Sequence, residues 1–364
     1  MKVRANFTKV FLLLSVIILE LIGHVFFPQF LADDFYNTLQ RDFANYRHFP
    51  NSGGRHRTWE FDYHIEINED GYRDDIRLAE LGPDDIIFLG DGITLGYGVD
   101  LSNSFVKIVP KLLVEKTGIR VNSLNTGMAG VGPLNYVRGY RKNLVKKPHR
   151  LVVFDYFAMN DFVGAGDIDH AFGPDTASKS KTGSGQTEPL WVTVRYQILS
   201  FFSQNSFIYG VFRTIKNTDN FVSRSLFGFG IGHDIYSHSR TKDRLADPEM
   251  LAVNCNFIER TARFVAGNGN DFVFVLFPRR DQVEDIKGFW HGQNDVLKPS
   301  DSISNLVECI KRKGVLAINL TPELRENFLA LNEPLYFPYD GHLNVHGNRL
   351  AAEIIAEHIS RFYR

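Results

Sequence analysis

Phe88-Leu89-Gly90-Asp91-Gly92-Ile93-Thr94-Leu95-Gly96-Tyr97-Gly98 is the stretch that decides how this chain folds. Ile86-Ile87-Phe88-Leu89 is a continuous apolar run of strand length, and it empties into a glycine-rich turn. An uninterrupted apolar strand implies burial on both faces, as in a parallel sheet. A turn at its carboxyl end lies on the edge where open α/β sheets hold their ligands. Alone the segment is a weak functional signal, because any strand–helix crossover can use Gly-Asp-Gly.

Working outward, a strand–helix rhythm repeats from Asp84 onward. Phe105 to Lys116 has helical spacing, a strand is expected near Val121 to Leu124, and a helix from about Leu134 to Val145. Leu151-Val152-Val153-Phe154 reads as a third strand, ending at Asn160-Asp161. A helix around Met250 to Val265 leads into the strand Phe272 to Phe277. A helix near Ile303 to Lys313, the strand Val315 to Ile318 and a last helix, about Val345 to Phe362, complete the series. The pattern predicts a three-layer α/β/α domain with a parallel sheet, flavodoxin-like in organisation, over 84–362. It is interrupted at about 163–249 by an insertion. Gly173 to Pro189 is polar and poor in apolar residues, whereas Trp191, Tyr196, Phe201, Phe202, Phe207, Tyr209 and Phe212 make its second part aromatic. That part reads equally as a lid and as helices padding the domain edge. Residues 31–83 are a connector with short strands, in which Phe61 to Asn68 alternates apolar and polar residues before Asp70-Gly71.

The bulk composition is that of an ordinary globular protein: 364 residues, 44% apolar, 23% charged, net charge −1. Nothing global points to nucleic acid. Cys255 and Cys309 match no metal or redox spacing, and both a disulfide and two buried thiols stay open. At the amino terminus, Phe7 to Phe27 is mostly apolar and about the length that spans a bilayer, though Ser15, Glu20 and His24 interrupt it. Lys2, Arg4 and Lys9 precede it, while Asp33 and Asp34 follow. This asymmetry orients residues 1–30 as a single-pass anchor or signal segment of the cytoplasmic membrane, with the rest of the chain outside. No small-x-small site precedes Asp33, which favours an anchor over a cleaved signal.

Three further segments share the strand-end location of the first. Asn125-Thr126-Gly127-Met128-Ala129-Gly130 offers glycines that can aim N–H groups into a pocket. Asn160-Asp161 carries an amide able to donate to an oxyanion or to cap a helix. Asp340-Gly341-His342-Leu343-Asn344 places a carboxylate two residues from a histidine, where it can orient the ring and stabilise its charge. Taken in this order the four segments resemble the SGNH, or GDSL-like, hydrolase superfamily. The resemblance covers 84–362 apart from the insertion. It implies a nucleophile at position 92, oxyanion donors at Gly92 N–H, Gly130 N–H and the Asn160 side chain, His342 as general base and Asp340 as its partner. The Asp-x-His spacing, with Asn344 two residues on, is similar to the branch that adds or removes acetyl groups on secreted polysaccharides. Asn68-Glu69-Asp70-Gly71-Tyr72-Arg73 resembles membrane-anchored bacterial members of that branch.

Gly92 departs from the family, where serine attacks the ester carbonyl; glycine offers no such oxygen. Thr94, two residues on, is expected to point elsewhere. The departure reads as an introduced serine-to-glycine change or as a natural loss. The expected function is therefore an ester hydrolase or O-acyltransferase acting on an exported acylated substrate, carbohydrate favoured, with its Ser-His-Asp route disabled. The alternative is a non-catalytic acyl- or glycan-binding subunit of a cell-envelope complex with a partner protein. No cofactor and no metal are expected: His233 and His238, near Asp234 and Asp243, fit no standard metal spacing, and Gly90-x-Gly92 lacks the dinucleotide fingerprint. The basic stretch Arg138 to Arg150 is expected to be a solvated helix face.

Overall fold

The computed structural model describes residues 14–23, 25, 41–57, 60–158, 160–173, 206, 208, 244–284, 301–338 and 340–364. The chain divides into two compact units. The larger comprises Leu39–Gly53, His64–Ser178 and Asp234–Arg364 and contains the sheet.

Five parallel strands form that sheet: β5 (Ile86–Leu89), β6 (Ser123–Asn125), β7 (Leu151–Phe157), β8 (Asp271–Phe277) and β9 (Leu316–Asn319). They are preceded by β1 (Arg41–Asp42), β2 (Arg47–His48), β3 (Gly53–Arg57) and β4 (Asp62–Glu66). The sheet order β6-β5-β7-β8-β9 reverses direction at β5, between β6 and β7. At such a switch point neighbouring crossovers leave on opposite faces and open a crevice at the carboxyl ends of the strands.

Strand burial explains the continuous apolar runs. Ile86, Phe88, Val153 and Val275 pack into a core with α2 (Phe105–Thr117) and α9 (Val345–Ile359). Ile87, Leu89, Phe154 and Phe274 turn to the other face, toward α3 (Pro133–Gly139), α5 (Pro248–Gly267) and α7 (Asp301–Arg312). Both faces are thus covered, giving the three-layer α/β/α architecture expected. The remaining helices are α1 (Gly92–Leu95), α4 (Asp167–Phe172), α6 (Arg280–Val283) and α8 (Thr321–Leu331).

The structure departs from the periodicity in a few places. The helix expected over 134–145 is α3 followed by a wider π turn at Tyr140–Leu144. The second strand begins at Ser123, where pairing with Ile86 starts; the N–H of Asn122 just before it goes instead to the Asp85 side chain, at 2.6 Å. Helix α8 was not expected; Pro322 sits in its first turn, where a missing N–H costs nothing, and Asn332 ends it in the left-handed conformation. The basic stretch is not merely solvated. Arg138 is buried and donates to the His170 carbonyl at 2.9 and 2.7 Å, and Arg141 donates to the carbonyls of Ala171 and Gly173. Cys255 on α5 and Cys309 on α7 are joined as a disulfide, which resolves the alternative left open by their spacing.

In the smaller unit the described residues are 14–23, 25, 54–57, 60–63, 206 and 208. β3 and β4 form a two-stranded sheet in which Arg55 makes paired hydrogen bonds to Asp62. Residues 14–23 are helical, and Glu20 accepts from Ser206 Oγ at 2.6 Å. The ends of the expected anchor, within 7–27, lie outside the described residues. Among the described residues no helix is long and apolar enough to cross a membrane. The aromatic and polar parts of the insertion, and His233, His238, Asp234 and Asp243, also lie outside them.

Candidate active site

The first site segment leaves β5 at Gly90 and enters α1 through Asp91, whose side chain caps the helix by accepting from Ile93 N at 2.8 Å. Such a cap satisfies one of the orphan N–H groups of the first turn. Gly90 has no room for a side chain, since a β-carbon there would lie 1.8 Å from Thr94 Oγ1. The Thr94 hydroxyl donates to Asp155 Oδ2 at 2.6 Å and is fully buried, so it is committed beneath the turn. Burial pushes the Asp155 carboxyl far above the ordinary carboxylate range.

The second segment packs directly on α1. A β-carbon on Gly127 would stand 2.1 Å from Leu95 N, and Met128 N donates to the Gly90 carbonyl at 3.1 Å. Asn125 holds the loop by accepting from Gly127 N at 2.9 Å. The β1–β2 hairpin braces it from the other side: His48 Nε2 lies 3.3 Å from Gly127 O, and Arg41 Nη1 donates to Ala129 O at 2.8 Å. Burial drives the His48 imidazole down to about 4, with the charges of Arg41 and Arg73 acting in the same direction against the Gly127 hydrogen bond. Gly130 ends the loop with φ +72°, a conformation that favours glycine. A β-carbon there would meet Arg41 Nη1 at 2.6 Å, so the guanidinium lies against this position.

The third segment follows β7. Asp161 is buried; its Oδ2 accepts from Phe157 N and its Oδ1 from the Tyr136 hydroxyl, both at 2.8 Å. Asn160 is exposed, and its side-chain amide acts on the Asp91 carboxyl, favouring the charged form. Asn160 and the turn at position 92 are therefore neighbours through Asp91.

The fourth segment supplies the histidine. Gly341 adopts φ +84°, and this left-handed step folds Asp340 back onto the residue two positions on. Asp340 Oδ1 accepts from His342 Nδ1 at 2.6 Å and from His342 N at 3.1 Å. Nδ1 thus carries the proton of the neutral ring, and the lone pair is on Nε2. Nε2 points at Gly92. A β-carbon on Gly92 would lie 2.7 Å from Nε2, with the flanking ring carbons Cδ2 and Cε1 at 3.5 and 3.7 Å. The near equality of the two carbon distances means that the ring meets that point end-on, along the lone pair.

Electrostatically, burial pulls the imidazole down. The Asp340 charge and hydrogen bond, joined by the Asp91 charge, outweigh it and hold His342 above the usual imidazole value. Burial raises Asp91, against the pull of the His342 charge, the Ile93 N–H and the Asn160 amide.

Of the residues named from sequence, the structure brings Gly92, His342 and Asp340 into one line and sets Asn160 beside Asp91. Gly130 is the end of the loop that abuts α1, with Arg41 over it. Sequence reasoning missed three supporting side chains. Tyr97 stacks on His342, with ring centroids 4.5 Å apart. Arg73 is fully buried and donates to the carbonyls of Leu95, Gly96 and Val99, each at 2.8 Å. Arg41 was the third. Tyr97 lay inside the glycine-rich segment and Arg73 inside the Asn68 to Arg73 motif, so both had a signal, whereas Arg41 had none.

No protein-family model matches the sequence, and no curated protein matches it. Among solved structures the chain is similar to the acetyl xylan esterase AlAXEase, at 14% identity and TM-score 0.38 over 76% of this chain and 99% of that one. It is also similar to an acetylxylan esterase from Geobacillus stearothermophilus, at 12% identity and TM-score 0.40, covering 77% and 95% respectively. A protein of the G-D-S-L family from Desulfitobacterium hafniense matches at 15% identity and TM-score 0.32, covering 75% and 98%. At these identities and TM-scores the likenesses decide nothing about activity.

Proposed function

We propose that this chain is an SGNH-type ester hydrolase or O-acyltransferase whose pocket takes an exported acylated substrate, and that its covalent serine route is disabled at Gly92. The observation that carries this reading is the line Asp340–His342–Gly92. A carboxylate fixes the proton on Nδ1 and Nε2 faces the first residue of α1, which is the arrangement a general base needs toward a nucleophile held there. Gly92 and Gly130 N–H groups have no acceptor among the described residues, which suits them to an oxyanion, and the exposed Asn160 amide beside Asp91 is a further donor. Acetylated carbohydrate is the favoured substrate class because of the Asp-x-His-x-Asn spacing. The Cys255–Cys309 disulfide supports export, since such bonds persist in oxidising compartments. Anchoring through residues 7–27, with the domain on the outer face of the cytoplasmic membrane, accompanies this reading.

The second reading is a non-catalytic acyl- or glycan-binding subunit, and the missing oxygen at position 92 is the observation in its favour. Hydrolysis of a small acetyl ester by the full chain carrying Gly92→Ser separates the two. Turnover that depends on His342 supports the esterase reading. A Gly92→Ser protein that binds acetylated oligosaccharide and never cleaves it supports the binding subunit.

A further inference from the structure

We infer that Gly92 makes this site a one-step hydrolase, in which a water molecule activated by His342 attacks the ester directly and no acyl-enzyme forms. This rests on the esterase reading above and goes beyond it by naming the nucleophile.

The distances at Gly92 carry the inference. Real β-carbons do not approach a nitrogen as closely as the 2.7 Å that Nε2 would leave for one at position 92. The imidazole is therefore advanced into the volume that a side chain at position 92 would fill, and the ring has to swing back to admit one. Its lone pair is directed there, because Asp340 holds the other ring nitrogen at 2.6 Å. A base so placed needs an oxygen to deprotonate, and the side-chain oxygens of the turn itself are committed. The Thr94 hydroxyl is bound to Asp155 under the turn, and the Asp91 carboxyl caps Ile93 N and faces the Asn160 amide. The remaining oxygen nucleophile is solvent, and glycine is the residue that lets it reach Nε2.

The step balances without a further reactant. Nε2 takes one proton from water while the water oxygen bonds to the acyl carbon, and the carbonyl oxygen becomes an oxyanion facing the N–H groups of Gly92 and Gly130. Collapse breaks the bond between the acyl carbon and the alcohol oxygen, which takes the proton back from Nε2–H. The products are the free acid, which ionises, and the alcohol. With no covalent intermediate, an acyl group cannot be stored on the protein between donor and acceptor.

The test uses the full chain and p-nitrophenyl acetate, comparing the protein as it stands with Gly92→Ala, Gly92→Ser and His342→Gln. The expected result is turnover by the Gly92 chain that is linear from the first cycle, with no acetyl adduct by intact-mass analysis. Losing the base in His342→Gln should lower it by about 10²-fold. Gly92→Ala should lower it by about tenfold or more, since the methyl group takes the place of the water, a fraction of the 10²–10⁴ that a general base supplies. Gly92→Ser should instead give a burst and an acetyl-serine. An acetyl adduct on the Gly92 chain, or activity untouched by His342→Gln, overturns the inference. A silent Gly92 chain beside an active Gly92→Ser variant overturns it while leaving the esterase reading intact; silence of both sinks the esterase reading as well. If Gly92→Ala does not fold, the adduct measurement and His342→Gln decide.

Discussion

The Tyr97 ring lies flat on the His342 imidazole, with centroids 4.5 Å apart and planes 17° from parallel. The aromatic face is the negative side of the ring and favours the charged imidazolium, adding to the support from Asp340 and Asp91. In the proposed role of general base, His342 acts only when neutral. Its affinity for the proton lies above the ordinary 6.5, so ester hydrolysis should rise with pH through a midpoint above that value. Tyr97→Leu removes the stack and should move the midpoint down by about half a pH unit, measured from the pH–rate profile.

Asp340→Asn removes both the charge and the acceptor that fix the proton on Nδ1. The midpoint should move toward acid, yet the rate on the plateau should fall by about 10²-fold or more, because the ring loses its orientation and tautomer. A variant with an unchanged plateau would show that Asp340 does not orient the base.

Arg73 ties the Asn68 to Arg73 segment to the loop that carries Tyr97, through the carbonyls of Leu95, Gly96 and Val99. Removing a buried guanidinium leaves several carbonyls without donors. Arg73→Leu should destabilise the fold by about 3 kcal/mol or more in urea unfolding. Arg73→Lys keeps the charge but not the planar fork, and should recover only part of that loss.

Gly127→Ala tests the packing of the second loop on α1. The new methyl group would stand 2.1 Å from Leu95 N and 2.6 Å from Leu95 Cα, and backbone atoms cannot rotate away. Destabilisation of about 3 kcal/mol or more is expected by thermal unfolding, together with loss of activity.

The Cys255–Cys309 bond closes a separation of 54 residues between α5 and α7. Constraining the unfolded chain over such a loop is worth roughly 4 kcal/mol in the chain-entropy account. Reduction, or a double Cys→Ser change, should lower the unfolding free energy by up to that amount without altering the site, since both helices lie on the face of the sheet opposite α9, which follows His342.

Local chemistry made much of this protein legible in its sequence. Runs such as Ile86 to Leu89 and Phe272 to Phe277 have no polar face to give to water, so they dictate strands buried on both sides and hence a parallel sheet covered by helices. Gly-Asp-Gly at the end of β5 and Asp-Gly-His before α9 announced themselves because their turns need particular residues at fixed spacing, as Gly341 with its positive φ illustrates. Other features depend on residues far apart in the chain meeting in space. The disulfide, the brace of Arg41 and His48 on the second loop, and the clamp of Arg73 leave no periodic trace, because a side chain reaching a distant carbonyl looks like any other polar residue in a connector. The decisive fact, that the His342 lone pair is aimed at the side-chain position of Gly92, is of this kind. The sequence determined that position 92 has no nucleophilic oxygen, whereas only the tertiary structure decided that the His342 ring is advanced toward it, because that distance is set by how α9 packs on the sheet that β5 belongs to.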